Sequence, residues 1–115
     1  MSAPHSTERR EVRFRIAADA LSEDLQTHVQ KTGKVENISQ SGCFIRTPDP
    51  WITWTRIRLW IVHHGQQFEA EASVVHSAGG RSMGIAFENI PAASQDLLSA
   101  WLKVLPAFTA VCSLV

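Results

Sequence analysis

Two short strings concentrate the polar side chains that could take part in ligand chemistry. The first, residues 9–13, reads RREVR and places Arg9 and Arg13 four positions apart, with Arg10 and Arg15 close enough to share their role. Guanidinium groups stay cationic and form paired hydrogen bonds with phosphate oxygens or with the O6/N7 edge of guanine. This string therefore predicts an anion-binding segment.

The second string, residues 37–42, reads NISQSG at a predicted strand-to-strand corner. The amide of Asn37 both donates and accepts, which suits a purine edge, and Ser39 adds a hydroxyl on the same strand face. Gly42 is able to take a positive φ angle at this corner, and it would let a flat base approach without a Cβ in the way. Together, the two strings favour a nucleotide site.

Size and charge limit the other functions that the chain could have. A chain of 115 residues suffices for one hydrophobic core, so we expect one domain. Eleven basic residues balance eleven acidic ones, which argues against a general affinity for nucleic acid polymers or anionic membranes. Four of the eleven basic residues lie within residues 9–15, so the positive charge is local.

The cysteines and apolar segments predict a cytoplasmic protein without a membrane span. Cys43 and Cys112 have no C-x-x-C spacing, and no signal sequence is recognisable. The apolar tail at 106–115 has about half of the roughly 20 residues that a membrane helix needs. Residues 1–8 contain little that could be buried and are predicted to be flexible.

Hydrophobic periodicity predicts a small barrel followed by one helix. Alternation begins at Val12, is clear over 56–63, and continues over 68–76 with His76 on the same face as Phe68. A period near 3.6 predicts a helix over 91–105. We therefore predict an all-β domain with an antiparallel barrel over about 12–89 and a C-terminal α-helix.

The segment between the first and second strings gives weaker signals. Residues 26–31 form only a weak strand candidate, and Thr32-Gly33 is predicted to be a turn before a strand over 34–38. Trp51 and Trp54 flank a proline loop, where they could form a lid over the barrel end or a partner surface. The helical stripe favours a core position for Trp101.

The order and spacing of the two strings resemble the PilZ domain family, bacterial receptors for the second messenger cyclic di-GMP. Arg9-x-x-x-Arg13 followed by Asn37-x-Ser39-x-x-Gly42 is similar to the two-part signature of that family. The resemblance covers about residues 8–105, and it includes the predicted strands at 43–47, 69–76 and 84–87.

The resemblance implies a six-stranded antiparallel PilZ-type barrel over a domain at 9–105, with no catalytic activity and no cofactor besides the ligand. It implies that the N-terminal arginine segment folds over bound cyclic di-GMP and that a partner protein reads the changed surface. The implied ligand-binding residues are Arg9, Arg13, Asn37, Ser39 and Gly42. We add Arg10, because it lies beside this arginine pair and could share its role. Ligand stoichiometry (one molecule or a stacked pair), oligomeric state, pathway and the role of the tail stay open.

Three other functions compete with the receptor hypothesis. A PilZ-like adaptor in type IV pilus or motility machinery would keep the fold and ignore the nucleotide. An enzyme acting on a cyclic dinucleotide would need a metal cluster or a general base, and His63, His64 and His76 have no ligand-spaced Cys or carboxylate. Binding of single-stranded nucleic acid would favour a more basic chain.

Overall fold

Six strands and one helix make up the described part of the chain. The computed structural model describes residues 11–107. The strands are β1 (Phe14–Asp24), β2 (Gln30–Ile38), β3 (Gly42–Arg46), β4 (Arg56–His63), β5 (Gln66–Ala78) and β6 (Ser82–Asn89), and the helix is α1 (Ala92–Val104).

The strands form a closed barrel in the order β1, β2, β3, β6, β5, β4, and β4 pairs back with β1. Every neighbouring pair is antiparallel. Closure leaves no open sheet edge, which is a common solution for small all-β domains. The predicted fold class, a six-stranded antiparallel barrel with a C-terminal helix, is confirmed.

The barrel interior is filled by aliphatic side chains and one phenylalanine. On β4 the alternation holds as predicted, because Ile57, Leu59 and Ile61 are fully buried. On β5 the same face carries Phe68 and continues to Val74, and then a bulge shifts the register so that His76 is exposed. The predicted alternation from Phe68 therefore does not extend as far as His76.

The predicted turn at Thr32-Gly33 is also wrong, because both residues lie inside β2. The chain reverses earlier, where the Asp24 carboxylate accepts hydrogen bonds from the backbone N–H of Gln26 (2.8 Å) and Thr27 (3.3 Å). Gly33 is needed for a different reason: a Cβ there would lie 2.6 Å from Ile45 Cγ2. Here the glycine permits close packing of strands and does not form a turn.

Helix α1 packs on β5 through one apolar stripe. Leu98 and Trp101 are buried, and the Trp101 ring lies 6.2 Å from the ring of Phe68. Trp101 Nε1 donates to Gln66 Oε1 at 3.1 Å, which satisfies its indole N–H. After α1 the backbone N–H of Arg15 donates to the Pro106 carbonyl at 2.8 Å, so the end of the helix is fixed beside the start of β1.

The two tryptophans of the proline loop have different environments. Trp51 is 8% exposed, and its indole N–H donates to Ser22 Oγ at 2.8 Å while Lys31 Nζ lies 4.1 Å from its ring centroid. Trp54 is 72% exposed and has φ +78°, an unusual angle for a bulky residue. Trp51 is thus buried against the barrel, whereas Trp54 faces solvent.

Candidate functional site

The two predicted strings meet at the start of β1. Arg13 lies just before this strand, and its Nη1 donates to Asn37 Oδ1 at 2.6 Å. The contact spans 24 residues of sequence and follows from the β1–β2 pairing, in which Arg15 is opposite Asn37. A guanidinium carries five donors, and this bond is made by one of its nitrogens. The amide of Asn37 therefore positions the Arg13 side chain.

Two irregularities in strand pairing surround Asn37. Between Arg15 and Ala18 the β1–β2 register shifts, and between Val35 and Asn37 the β2–β3 register shifts. A bulge re-aims the side chains that follow it. Asn37 is 6% exposed although it is polar, and the Arg13 guanidinium supplies a donor to its buried oxygen.

Ser39 lies in the tight connection between β2 and β3. Its backbone N–H donates to the Gly42 carbonyl at 2.8 Å, and the Ser41 N–H donates to Ser39 Oγ at 3.3 Å. The Ser39 side chain is fully buried, with its hydroxyl 3.3 Å from the Gly42 carbonyl oxygen and 3.0 Å from Glu11 Oε1. The serine therefore shapes the corner in this conformation.

Gly42 has a structural role that differs from the predicted one. Its φ is not in the positive range, so Gly42 does not use the left-handed conformation that a glycine permits. Gly42 begins β3 opposite Ala86 of β6, and a Cβ built on it would lie 2.0 Å from the Ile85 carbonyl oxygen. The missing side chain thus allows β3 and β6 to approach closely beneath the corner.

Glu11 is a site residue that the sequence did not reveal. Its Oε1 accepts hydrogen bonds from Ser39 Oγ at 3.0 Å and from Ser41 Oγ at 2.6 Å. In the sequence Glu11 stands out only as the acid inside a basic run. Its place in the basic run was the one sequence feature that could have drawn attention to it. Its partners Ser39 and Ser41 lie 28 and 30 residues away in the sequence, so only the fold shows the contacts.

The structure brings together four of the six predicted ligand residues: Arg13, Asn37, Ser39 and Gly42. Arg9 and Arg10 lie outside the described residues, as do the predicted flexible segment and most of the apolar tail. A groove of about 460 Å³ lies next to the corner, between residues 11–14 and α1, and its lining includes Glu11, Gln40 and Lys103. Two larger grooves lie on the outer face of the barrel. The one of about 850 Å³ is lined by Arg15 of the arginine cluster together with Lys34 and Arg46.

Residues 11–107 contain neither a metal-ligand cluster nor a helix long enough to span a membrane. Within this range no three His, Cys, Asp or Glu side chains converge in a way that could hold a metal ion. His63 and His64 instead stack on each other with ring centroids 4.0 Å apart. The helix found in the same range is too short to cross a bilayer.

Cys43 follows Gly42 and has an unreactive environment. Burial raises the pKa of its thiol from 9.0 to about 12, opposed in part by the positive charge of Arg13. The folded thiol stays protonated where an unfolded one ionises. Its contribution to stability is therefore complete below pH 9.0 and is lost as the pH rises from 9.0 through about 12.

We expect the buried Cys43 thiol to resist modification in the native protein. In a Cys112→Ser background, a disulfide reagent at pH 8 should label Cys43 about 100-fold more slowly than in urea, which corresponds to an opening free energy of about 3 kcal/mol. Absorbance of the released thiolate gives both rates. Equal rates in the two conditions would show that the Cys43 thiol is accessible in the folded protein.

Comparison with known proteins agrees with this architecture. The described chain is a small closed antiparallel barrel domain with an arginine placed over a polar corner. The sequence model of the PilZ domain matches residues 7–103. The chain belongs to the PilZ domain family. No curated protein gives a significant match.

Three solved structures share the fold. The Bacillus subtilis inhibitor of motility (MotI/DgrA) aligns with TM-score 0.64 and 23% identity over 81% of this chain and 48% of that one, so this chain spans about half its length. The PilZ domain with c-di-GMP of YcgR from Escherichia coli aligns with TM-score 0.65 and 12% identity, over 79% of this chain and 86% of that one. The PilZ domain of CeSA from a cellulose-synthesizing bacterium aligns with TM-score 0.57 and 16% identity, over 73% of this chain and 87% of that one.

Proposed function

We propose that this chain is a non-enzymatic receptor for cyclic di-GMP. The observation that carries the proposal is the 2.6 Å contact between Arg13 and Asn37, which joins the two halves of the predicted site. A cation and a buried amide side by side offer the donors that phosphate and a guanine edge require. The family membership and the c-di-GMP in the related YcgR structure support the choice of ligand.

Each proposed ligand residue has a chemical role. Arg13, with Arg9 and Arg10 from the same segment, binds phosphate oxygens and the O6/N7 edge of guanine. Asn37 and Ser39 bind a guanine edge from the barrel wall. Gly42 contributes by keeping β3 close to β6, since its Cβ position is filled by the Ile85 carbonyl.

The proposed mechanism couples ligand binding to ordering of the N-terminal arginine segment. Phosphate contacts would fix Arg9 and Arg10 relative to the barrel, and the surface so formed would be read by a downstream protein in a bacterial cytoplasm. Such coupled ordering lowers net affinity and gives a switch between two surfaces. A nucleotide-independent adaptor would bind its partner equally well with and without the ligand.

Calorimetric titration of the full chain with cyclic di-GMP tests the proposal directly. We expect saturable binding with a dissociation constant in the micromolar range, roughly −8 kcal/mol, and a stoichiometry that distinguishes one ligand from a stacked pair. Hydrogen exchange on the same samples should show new protection in the N-terminal peptide when ligand is added. Cyclic di-AMP is the matched control, because it has the same phosphates and lacks the guanine O6.

Two outcomes would contradict the proposal. Absence of heat and of exchange protection at millimolar ligand would exclude a receptor function for the chain. Equal affinity for cyclic di-AMP would exclude guanine recognition by Asn37 and Ser39 and reduce the site to a general phosphate contact.

A further inference from the structure

The Glu11 carboxylate lies at the polar corner that the proposed ligand would use. One oxygen, Oε1, accepts hydrogen bonds from the hydroxyls of Ser39 and Ser41, at 3.0 Å and 2.6 Å. Glu11 itself faces solvent, whereas Ser39 beneath it is fully buried. The acid thus fastens the segment before β1 to the β2–β3 corner.

The ligand needs the donors that Glu11 uses. A serine hydroxyl has a single proton to donate, so Ser39 cannot serve the carboxylate, the Gly42 carbonyl and a ligand acceptor at once. Cyclic di-GMP offers phosphate oxygens and guanine O6 and N7 as acceptors for such a hydroxyl. A phosphate placed beside a retained carboxylate would also be repelled, since both carry negative charge.

We propose that Glu11 sets the affinity of the site by competing with the ligand for the Ser39 and Ser41 hydroxyls. Without ligand the carboxylate accepts from these two hydroxyls, and binding displaces it. This inference rests on the proposed function, because it needs a ligand that uses the same corner. It adds Glu11 and Ser41 to the residues that determine binding.

The inference predicts that removal of the carboxylate tightens binding. Glu11→Ala should lower the dissociation constant for cyclic di-GMP by about three- to tenfold, the range expected when one or two modest hydrogen bonds no longer have to be broken. Glu11→Gln loses the negative charge but keeps an acceptor oxygen, so it should lower the constant by less. Calorimetry gives the constants. Glu23→Gln is the matched control, since it removes the same charge from a carboxylate that accepts from Gln30 and His28 at the far end of β1.

A double-mutant cycle tests whether Glu11 acts through Ser41. Ser41→Ala removes a donor that both the carboxylate and the ligand would use, so Glu11→Ala should tighten binding less in the Ser41→Ala background than in the wild type. Additive effects would show that the two residues act independently and would overturn the inference.

The possible failures can be separated. If the wild-type chain does not bind cyclic di-GMP, the proposed function fails. If the wild type binds and Glu11→Ala binds equally well or more weakly, the receptor function stands and the competition is refuted. Weaker binding would assign Glu11 instead to direct contact with the N–H groups of guanine.

Discussion

Replacing Arg13 by alanine should lower the affinity for cyclic di-GMP by about 10- to 100-fold and leave the barrel folded. A hydrogen bond between a guanidinium and a phosphate is worth about 1.5–3 kcal/mol, and each 1.4 kcal/mol is a factor of ten. Arg13 is exposed and precedes β1, so its loss removes no core packing. Calorimetry of the variant measures the effect, and circular dichroism checks the fold.

Two further variants make the Arg13 result specific. Arg58→Ala removes an arginine that pairs with Glu69 and Glu71 on the barrel wall, so it should leave the affinity within about twofold. Arg13→Lys keeps the charge and loses the planar fork, and we expect an affinity between those of the wild type and the alanine variant. If Arg13→Ala and Arg58→Ala bind alike, Arg13 does not contact the ligand.

The barrel was predictable from the sequence because its strands have one buried face. Alternation over β4 is regular, and the side chains that it assigns to the interior, such as Leu59, are fully buried. Period-2 patterning is local information, since each residue's face depends on its neighbours along the strand. The helix was predicted for the same reason, and its observed bounds, Ala92–Val104, differ from the predicted 91–105 by one residue at each end.

The errors occur where contacts between strands override local preference. Gly33 is typical of a turn, but it lies inside β2. Ile45 on the neighbouring strand occupies the space that a side chain at position 33 would need. His76 follows the alternation of β5 until a bulge beside β6 moves it to the surface. Neither effect can be read from a single strand, because each depends on the residue that another strand places opposite.

The site shows the same division between residue type and geometry. Spacing within each string identified Arg13, Asn37 and Ser39 as polar groups suited to a nucleotide. The contact between Arg13 and Asn37 required the register of β1 on β2, and the contact of Glu11 with Ser41 required the closed corner. The sequence identifies the donors and acceptors, but the fold determines which of them hydrogen-bond to each other.

Replacing Gly42 by alanine should destabilise the domain by about 3 kcal/mol. The added Cβ would lie 2.0 Å from the Ile85 carbonyl oxygen and 3.2 Å from its carbon. Overpacking usually costs 1–3 kcal/mol, and the upper end applies here because both atoms belong to the backbone of β6 and cannot rotate away. Urea denaturation followed by fluorescence of the four tryptophans gives the free energy of unfolding.

Gly79→Ala is the matched control, because a Cβ at Gly79 meets nothing within 4 Å and its φ is not in the left-handed range. It should change the free energy of unfolding by no more than about 0.5–1 kcal/mol. Equal stability of the two variants would mean that β6 shifts without a loss of free energy of unfolding and that Gly42 is not required for strand contact.

If Gly42→Ala is destabilised as expected, its affinity for the ligand should also fall, because separating β3 from β6 moves the Gly42 carbonyl that accepts from the backbone N–H of Ser39. Gly42 would then act on the ligand through the shape of the corner, in contrast to Arg13, which would act by direct contact.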